Sequence, residues 1–274
     1  MKLETQNSKL ITSRDNSLLR QARAVRDGKV KDLIFVEGLR LCEEAHQSGL
    51  AIDIVIHSDE IALKERAAGL ISKLAETCDR FAVVSEALLA TVSYTKTPQG
   101  IIVIAKRPES SRTALASRAA AGSPLLVVLH GLNNPVNVGA ILRSSEAAGA
   151  TGVIATSQTA DPFSPKALRG AMGSAFRLPI WVGAAYDEVL NWCVENGIQT
   201  VGADVNATTS YTELDWTGPR ALIVGTESTG LNPDEVSLAS EVVRIPMLGQ
   251  VESLNVAAAA AIVLYEAARQ RRSL

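Results

Sequence analysis

The sequence predicts an α/β protein in two parts, a small N-terminal unit followed by a larger one built on a parallel sheet. Three observations carry this. Strand-type and helix-type apolar patterns alternate along nearly the whole chain. The strands of the second half are continuous apolar runs such as LLVVL and ALIV, which suit a sheet covered by helices on both faces. Between the two series lies RPESSRTALASRAAAGSP, residues 107–124, with proline near both ends and Leu115 as its one large apolar residue. That composition reads as a linker or a single helical turn.

The first 31 residues hold eight lysines and arginines against three acids, and read as a basic arm. Such an arm is suited to nucleic-acid phosphates, and equally to plain solvation. Residues 32–106 read as one compact unit. LIFV (33–36) is a strand, and residues 37–49 a helix with Leu39, Cys42 and Ala45 on one face and Gly49 as its stop. IDIVIH (52–57) is a strand, 60–77 a helix, FAVV (81–84) a strand, SEALLATV a short helix, and GIIVIAK (100–106) the closing strand.

From residue 125 the alternation resumes. PLLVVLHGL is a buried strand and NPVNVGAILRSSEAAG a helix; GVIAT is a strand and SPKALRGAMGSAF a helix. LPIWV is a short strand, AAYDEVLNWCVENG a helix ended by Gly197, and IQTVGAD and ALIVG (221–225) are strands. NPDEVSLAS is a short helix, VVRIP (242–246) a strand, and a helix from about Ser253 closes the chain. Its last stretch, Tyr265 to Arg272, reads as an ordinary polar tail.

Several functions are excluded. Three cysteines and three histidines are scattered without metal-ligand spacing, and the odd cysteine count argues against a disulfide framework, so no metal is expected. The start has no apolar signal core, and the longest apolar run, Val256 to Tyr265, is too short to span a bilayer. A soluble cytoplasmic protein with no membrane association is the expectation. No G-x-G-x-x-G, G-x-x-x-x-G-K-S/T or G-x-S-x-G occurs, against a dinucleotide oxidoreductase, a P-loop enzyme and an elbow hydrolase.

Three segments at the carboxyl ends of expected strands stand out, the place where open α/β sheets bind ligands. In the first, Asn134 suits a helix cap and Pro135 the first helical position, with Asn137 in the first turn and Arg143 six residues on. Locally, an Arg143–Glu146 ion pair accounts for the arginine as well as a functional role does. In the second, Asn232, Pro233 and Glu235 form a capping box with Leu231 and Val236 as a staple. That logic leaves Glu227, after Gly225, unexplained. The third, IPMLGQVESLN, leads to Ser253 and Asn255; by itself, Ser253 is the N-cap of the last helix.

In this order and spacing the three segments resemble the motifs of the SpoU family of RNA ribose methyltransferases, of the SPOUT class. Asn137, Gly139 and Arg143 match the first motif; Gly225, Glu227, Gly230 and Leu231 the second; Ile245, Pro246, Met247, Gly249, Ser253, Leu254, Asn255 and Val256 the third. Residues 31–106, through FVEG and GIIVIA, look like that family's small RNA substrate-binding domain of L30e-like type. Asn134, Ser228 and Ala257 depart from the family's commonest residues without removing a motif position.

The resemblance implies a SPOUT methyltransferase catalytic domain over residues 125–274, with a deep trefoil knot and a homodimer. It implies transfer of a methyl group from S-adenosyl-L-methionine to a ribose 2′-hydroxyl in RNA, ribosomal RNA of the 23S type foremost. Transfer RNA and a non-catalytic RNA-binding role are the alternatives. Carried over, Asn137, Arg143, Glu227, Ser253 and Asn255 are the catalytic set. Gly225, Ile245, Met247 and Leu254 hold the cofactor.

Overall fold

The computed structural model describes residues 9–119 and 122–272. The chain divides into two units, Met1–Pro108 with Phe163–Phe176, and Glu109–Pro162 with Arg177–Leu274.

The first unit is a mixed five-stranded sheet. Its elements are β1 (Lys9–Leu10), α1 (Ser17–Arg26), β2 (Leu33–Glu37), α2 (Leu39–Gln47), β3 (Ile52–Ser58), a 3-10 turn (Ile61–Leu63), α3 (Glu65–Ala75), β4 (Phe81–Val84), α4 (Glu86–Ala90) and β5 (Ile101–Lys106). The strand order is β1-β4-β3-β5-β2, with β5 antiparallel to both neighbours and the other pairs parallel. The basic arm corrects the sequence reading. Its first eight residues lie outside those described, but from Lys9 onward it is folded. β1 pairs with β4, Asn16 caps α1 by accepting the Leu18 N–H at 2.9 Å, and Leu19, Ala22 and Val25 enter the core with Phe35, Ile54 and Ile104.

A buried carboxylate organises one end of this sheet. Glu37, 5% exposed, accepts the backbone N–H of Tyr94 (2.8 Å) and Thr95 (3.2 Å) and the hydroxyls of Thr95 (2.6 Å) and Ser93. From the other side Arg26 donates to the Thr91, Val92 and Ser93 carbonyls at 3.0–3.4 Å. The segment 91–95 is thus fixed by acceptors and donors on opposite faces. Glu37→Ala removes four accepted hydrogen bonds at once; the Ser93 and Thr95 hydroxyls and the Thr95 N–H keep a second acceptor, but the Tyr94 N–H has no other among the described residues. A loss of about 3 kcal/mol in unfolding free energy is expected by urea titration, since each buried unsatisfied donor costs roughly 1–3 kcal/mol before relaxation. A change under 1 kcal/mol would contradict that account of the loop.

The second unit carries α5 (Arg112–Ala119), β6 (Leu125–Leu129), α6 (Pro135–Ala147) and β7 (Gly152–Thr156); α7 (Pro165–Ala171) and most of α8 (Ser174–Arg177) come next in the chain but belong to the first unit. The second unit continues with β8 (Ile180–Ala184), α9 (Tyr186–Glu195), β9 (Gln199–Ala203), β10 (Thr209–Ser210), β11 (Arg220–Val224), α10 (Pro233–Ser237), β12 (Glu241–Arg244) and α11 (Val256–Arg272). All seven strands run parallel in the order β10-β12-β9-β11-β6-β7-β8. The continuous apolar runs explain this: β6, β7 and β11 are buried at every position.

Four local readings change. Residues 107–124 hold the helix α5, whose Leu115 is fully buried against Leu126 and Ile154. The helix expected over 164–176 breaks into α7 and α8, because Met172 (φ 49°) and Gly173 (φ 94°) turn left-handed. β10 had no sequence signal. The end of α11 is an anchor rather than a polar tail. Arg271 donates to the carbonyls of Ser123 (2.7 Å), Trp216 (2.8 Å), Gly218 (2.5 Å) and Pro124 (3.3 Å), and Gln270 donates to that of Leu214 (3.0 Å).

The topology creates one switch. The chain lays down β6, β7 and β8 outward, crosses to the other side for β9, and returns to insert β11 between β9 and β6. The carboxyl ends of β9, β11 and β12 therefore lie side by side, at the kind of reversal where parallel sheets bind ligands.

Candidate active site

The site is assembled by α6, the β11–α10 loop and the segment leading into α11. Asn134 caps α6, its side-chain oxygen accepting the Val136 N–H at 3.0 Å, and Pro135 takes the first helical position. This places Asn137 in the first turn, buried at 8% exposure. Glu227 reaches it from the loop after β11, accepting the backbone N–H of Asn134 (3.0 Å) and Asn133 (3.3 Å) and the Asn137 amide N–H (3.2 Å). Asn137 Oδ1 in turn accepts from Asn255 Nδ2 at 3.3 Å, and Asn255 Oδ1 accepts the Ala257 and Ala258 N–H groups at 3.0 and 3.4 Å.

The polarity of this relay is fixed by its ends. A carboxylate only accepts and helix amides only donate, so each asparagine has one orientation that satisfies both neighbours. Three segments far apart in sequence are tied into one unit. Asn255, not Ser253, caps α11; Ser253 is exposed and lines the adjacent cavity. The relay also sets the charge of Glu227. Burial pushes its carboxyl up, but the hydrogen bonds from Asn134, its own backbone, Asn137 and Asn133 outweigh this and hold it below the usual value of 4.5.

A folded-state pKa below the unfolded one gives stability that is fully present above pH 4.5 and is lost as pH falls through the lower folded value. The melting temperature of the native chain is therefore expected to drop more steeply between about pH 5 and pH 3 than that of Glu227→Gln. Parallel curves would show that Glu227 is not held as described.

Gly225 has a steric reason. The chain from Thr226 doubles back in a small antiparallel bridge, Thr226 N–H to the Gly230 carbonyl at 3.1 Å and the reverse at 3.0 Å. A Cβ on Gly225 would lie 2.5 Å from the Gly230 oxygen and the Leu231 nitrogen, both backbone. Beyond this turn, Asn232 and Glu235 make the expected capping box on α10, and Leu231 is buried with Val236 packed beside it.

A cavity of about 700 Å³ opens between the carboxyl ends of β9, β11 and β12. Gly225, Ile245, Met247 and Leu254 all line it, as do Glu227 and Ser253. Asn137 and Asn255 stand behind, through the relay. Arg143 does not line the cavity. It is exposed on α6, with no hydrogen bond or ion pair among the described residues, and the Glu146 partner considered for it is held by Arg177 at 2.9 Å. α6 and α11 pack together, and both carry stretches of little side-chain bulk, Gly139 and Ala140 on one and the run Ala257–Ala261 on the other.

Two features were missed from sequence. Asp204 and Asn206, after β9, line the cavity, although the rule that ligands sit at strand carboxyl ends applied to them as well. His130, taken as one of three scattered histidines, is buried with Nε2 3.1 Å from Glu235, Nδ1 3.2 Å from Thr156 Oγ1, and its ring stacked on Tyr186 at 4.2 Å. It braces α10 against β6, β7 and α9; only the folded sheet brings these residues together. Among the described residues no cluster of three or more metal-ligating side chains occurs, and no helix is long and apolar enough to cross a membrane.

The cavity suits a nucleoside-sized ligand. Its volume is in the usual range for small-molecule sites, and its wall mixes apolar side chains with a few polar groups. Comparison with known proteins agrees. Residues 124–265 match the model of the SpoU rRNA Methylase family, and residues 18–103 that of the MRM3-like substrate binding domain. A Synechocystis protein named an uncharacterized tRNA/rRNA methyltransferase is 32% identical over 265 residues, 95% of this chain and 94% of its own.

The 23S rRNA uridine 2′-O-methyltransferase of Streptomyces viridochromogenes is 29% identical over 278 residues, 98% and 95% of the two chains. The AdoMet-bound rRNA methyltransferase of Sinorhizobium meliloti superposes with a TM-score of 0.83 at 28% identity, over 96% of this chain and 98% of that one. Mycobacterial relatives are 41% identical over 160 residues, and the chain spans about half of their length.

Proposed function

The chain belongs to the SpoU rRNA methylase family, and on that premise we propose that it methylates a ribose 2′-hydroxyl of ribosomal RNA, of the 23S type, using S-adenosylmethionine. The observation that carries this reading is the relay Glu227–Asn137–Asn255 at the edge of a cavity lined by Gly225, Ile245, Met247 and Leu254. The names of the Streptomyces and Sinorhizobium proteins support the substrate and the cofactor.

The bound cofactor supplies an electrophilic methyl group, so the protein's task is to align a poor nucleophile with it. Gly225, Ile245, Met247 and Leu254 hold the cofactor, while the relay fixes the loops that surround it. Arg143 clamps the target phosphate and orients the hydroxyl; a guanidinium stays protonated at any ordinary pH and is a poor base. Since Arg143 does not line the cavity of its own chain, a homodimer in which α6 of one subunit approaches the cavity of the other completes the site. Val136 on α6 and Tyr265 on α11, 44% and 52% exposed, are apolar groups such an interface would cover. The tight return at Gly225 and the three loops around one cavity are consistent with a trefoil knot over the last two motifs. Residues 32–106 bind the RNA, and the protein works in the cytoplasm.

Methyl transfer from labelled S-adenosylmethionine to purified, unmodified ribosomal RNA tests this. Label retained in an alkali-resistant dinucleotide from ribosomal RNA is the expected result. Label entering transfer RNA alone would move the target, and label in a base would overturn the reaction.

A further inference from the structure

The cavity wall carries charge of one sign. Asp204, Glu227 and Glu252 line it, and among the described residues no lysine, arginine or histidine does. Glu227 is committed to the relay. Asp204, half-buried at the end of β9, accepts the Asn206 N–H at 2.7 Å with one oxygen and has the other to spare. Glu252 is exposed just before Ser253, with no hydrogen bond among the described residues. Much of the remaining wall is apolar, including Val224, Ile245, Leu254 and Val263, and apolar surroundings strengthen the field of nearby charges.

We infer that this wall distinguishes S-adenosylmethionine from its demethylated product by charge, with Asp204 and Glu252 setting the preference. The inference rests on the methyltransferase reading. S-adenosylmethionine carries a sulfonium, an ammonium and a carboxylate, hence one net positive charge. When the methyl carbon bonds to the ribose oxygen, the electron pair of the broken carbon–sulfur bond stays on sulfur and the hydroxyl proton passes to solvent. The product thioether, S-adenosylhomocysteine, has no net charge. The acidic wall attracts the first and is nearly indifferent to the second, so the chemical step itself weakens the hold on the spent cofactor and favours exchange.

Calorimetric titration of the full-length protein with each compound, at low and high salt, tests this in the native chain, Asp204→Asn, Glu252→Gln and the double variant. The asparagine still offers an oxygen to the Asn206 N–H, and Glu252 makes no bond to lose; thermal melts confirm folding. At low salt the native chain is expected to bind S-adenosylmethionine about tenfold tighter than S-adenosylhomocysteine, a ratio that each substitution cuts by about threefold and salt reduces. S-adenosylhomocysteine affinity changes by less than about twofold in every variant. Equal affinities in the native chain, or an unchanged ratio in the double variant, would overturn the inference while leaving the methyltransferase reading standing. A native chain that binds neither compound would overturn that reading, and the inference with it.

Discussion

Arg143→Ala is expected to lower the rate of methyl transfer by about 100-fold or more, the loss seen when a group that stabilises or positions the reacting centre is removed. S-adenosylmethionine affinity and melting temperature stay at native values. The separation follows from where the arginine sits. It is exposed on α6, makes no bond among the described residues, and is absent from the cavity wall, so neither folding nor cofactor binding depends on it. Rate assays beside calorimetry read both halves. A parallel loss of cofactor affinity would remove Arg143 from the role of substrate clamp. Arg143→Lys is expected to recover only part of the rate, because an ammonium cannot bind a phosphate through two parallel donors.

Gly225→Ala is expected to be the most damaging small substitution in the second unit. The added carbon meets backbone atoms of Gly230 and Leu231, which cannot rotate away as a side chain would. The turn must open, and with it the Glu227 carboxylate leaves Asn133, Asn134 and Asn137. A destabilisation of about 3 kcal/mol, or roughly 6–12 °C in melting temperature, is expected, with loss of measurable cofactor binding. Unaltered binding would mean that the turn yields to the added carbon without disturbing the site. Gly249, where an added Cβ meets nothing within 4 Å, serves as the control glycine.

The elements that local signals define were legible in both units. Continuous apolar runs forced buried parallel strands at β6, β7 and β11, and Asn134-Pro135 and Asn232-Pro233 marked two helix starts that the structure reproduces. These are local signals, set by side-chain chemistry within a few residues. The losses came where a partner is distant. Arg271 looks like a solvated end until it meets carbonyls of four residues from two other segments. Leu115 is one apolar residue in an alanine-rich stretch, and only β6 and β7 reveal that it is core. Residues 9–31 looked like an arm because their charge is on the outside, while α1 buries a narrow stripe of Leu19, Ala22 and Val25.

The site was legible in part and for a comparable reason. Glu227 stood out because no helix-capping role explained it, and its true partners are donors ninety or more residues upstream. Ser253 was offered as the cap by its type; the hydrogen bonds give that place to Asn255, which also closes the relay to Asn137. The polar entrance to α11 therefore has two uses, a helix start and a tie to α6. Asp204 was passed over because β9 was read only as a strand, not as one of three adjacent carboxyl ends.

The central claim is ribose methylation of ribosomal RNA. Mapping alkali-resistant linkages across total RNA, from cells with and without the gene, tests it most directly. The expected result is one 2′-O-methyl position in large-subunit ribosomal RNA that disappears with the gene and returns with the native chain but not with Arg143→Ala. An unchanged ribosomal map, with a lost methyl group in transfer RNA or none lost anywhere, would contradict it.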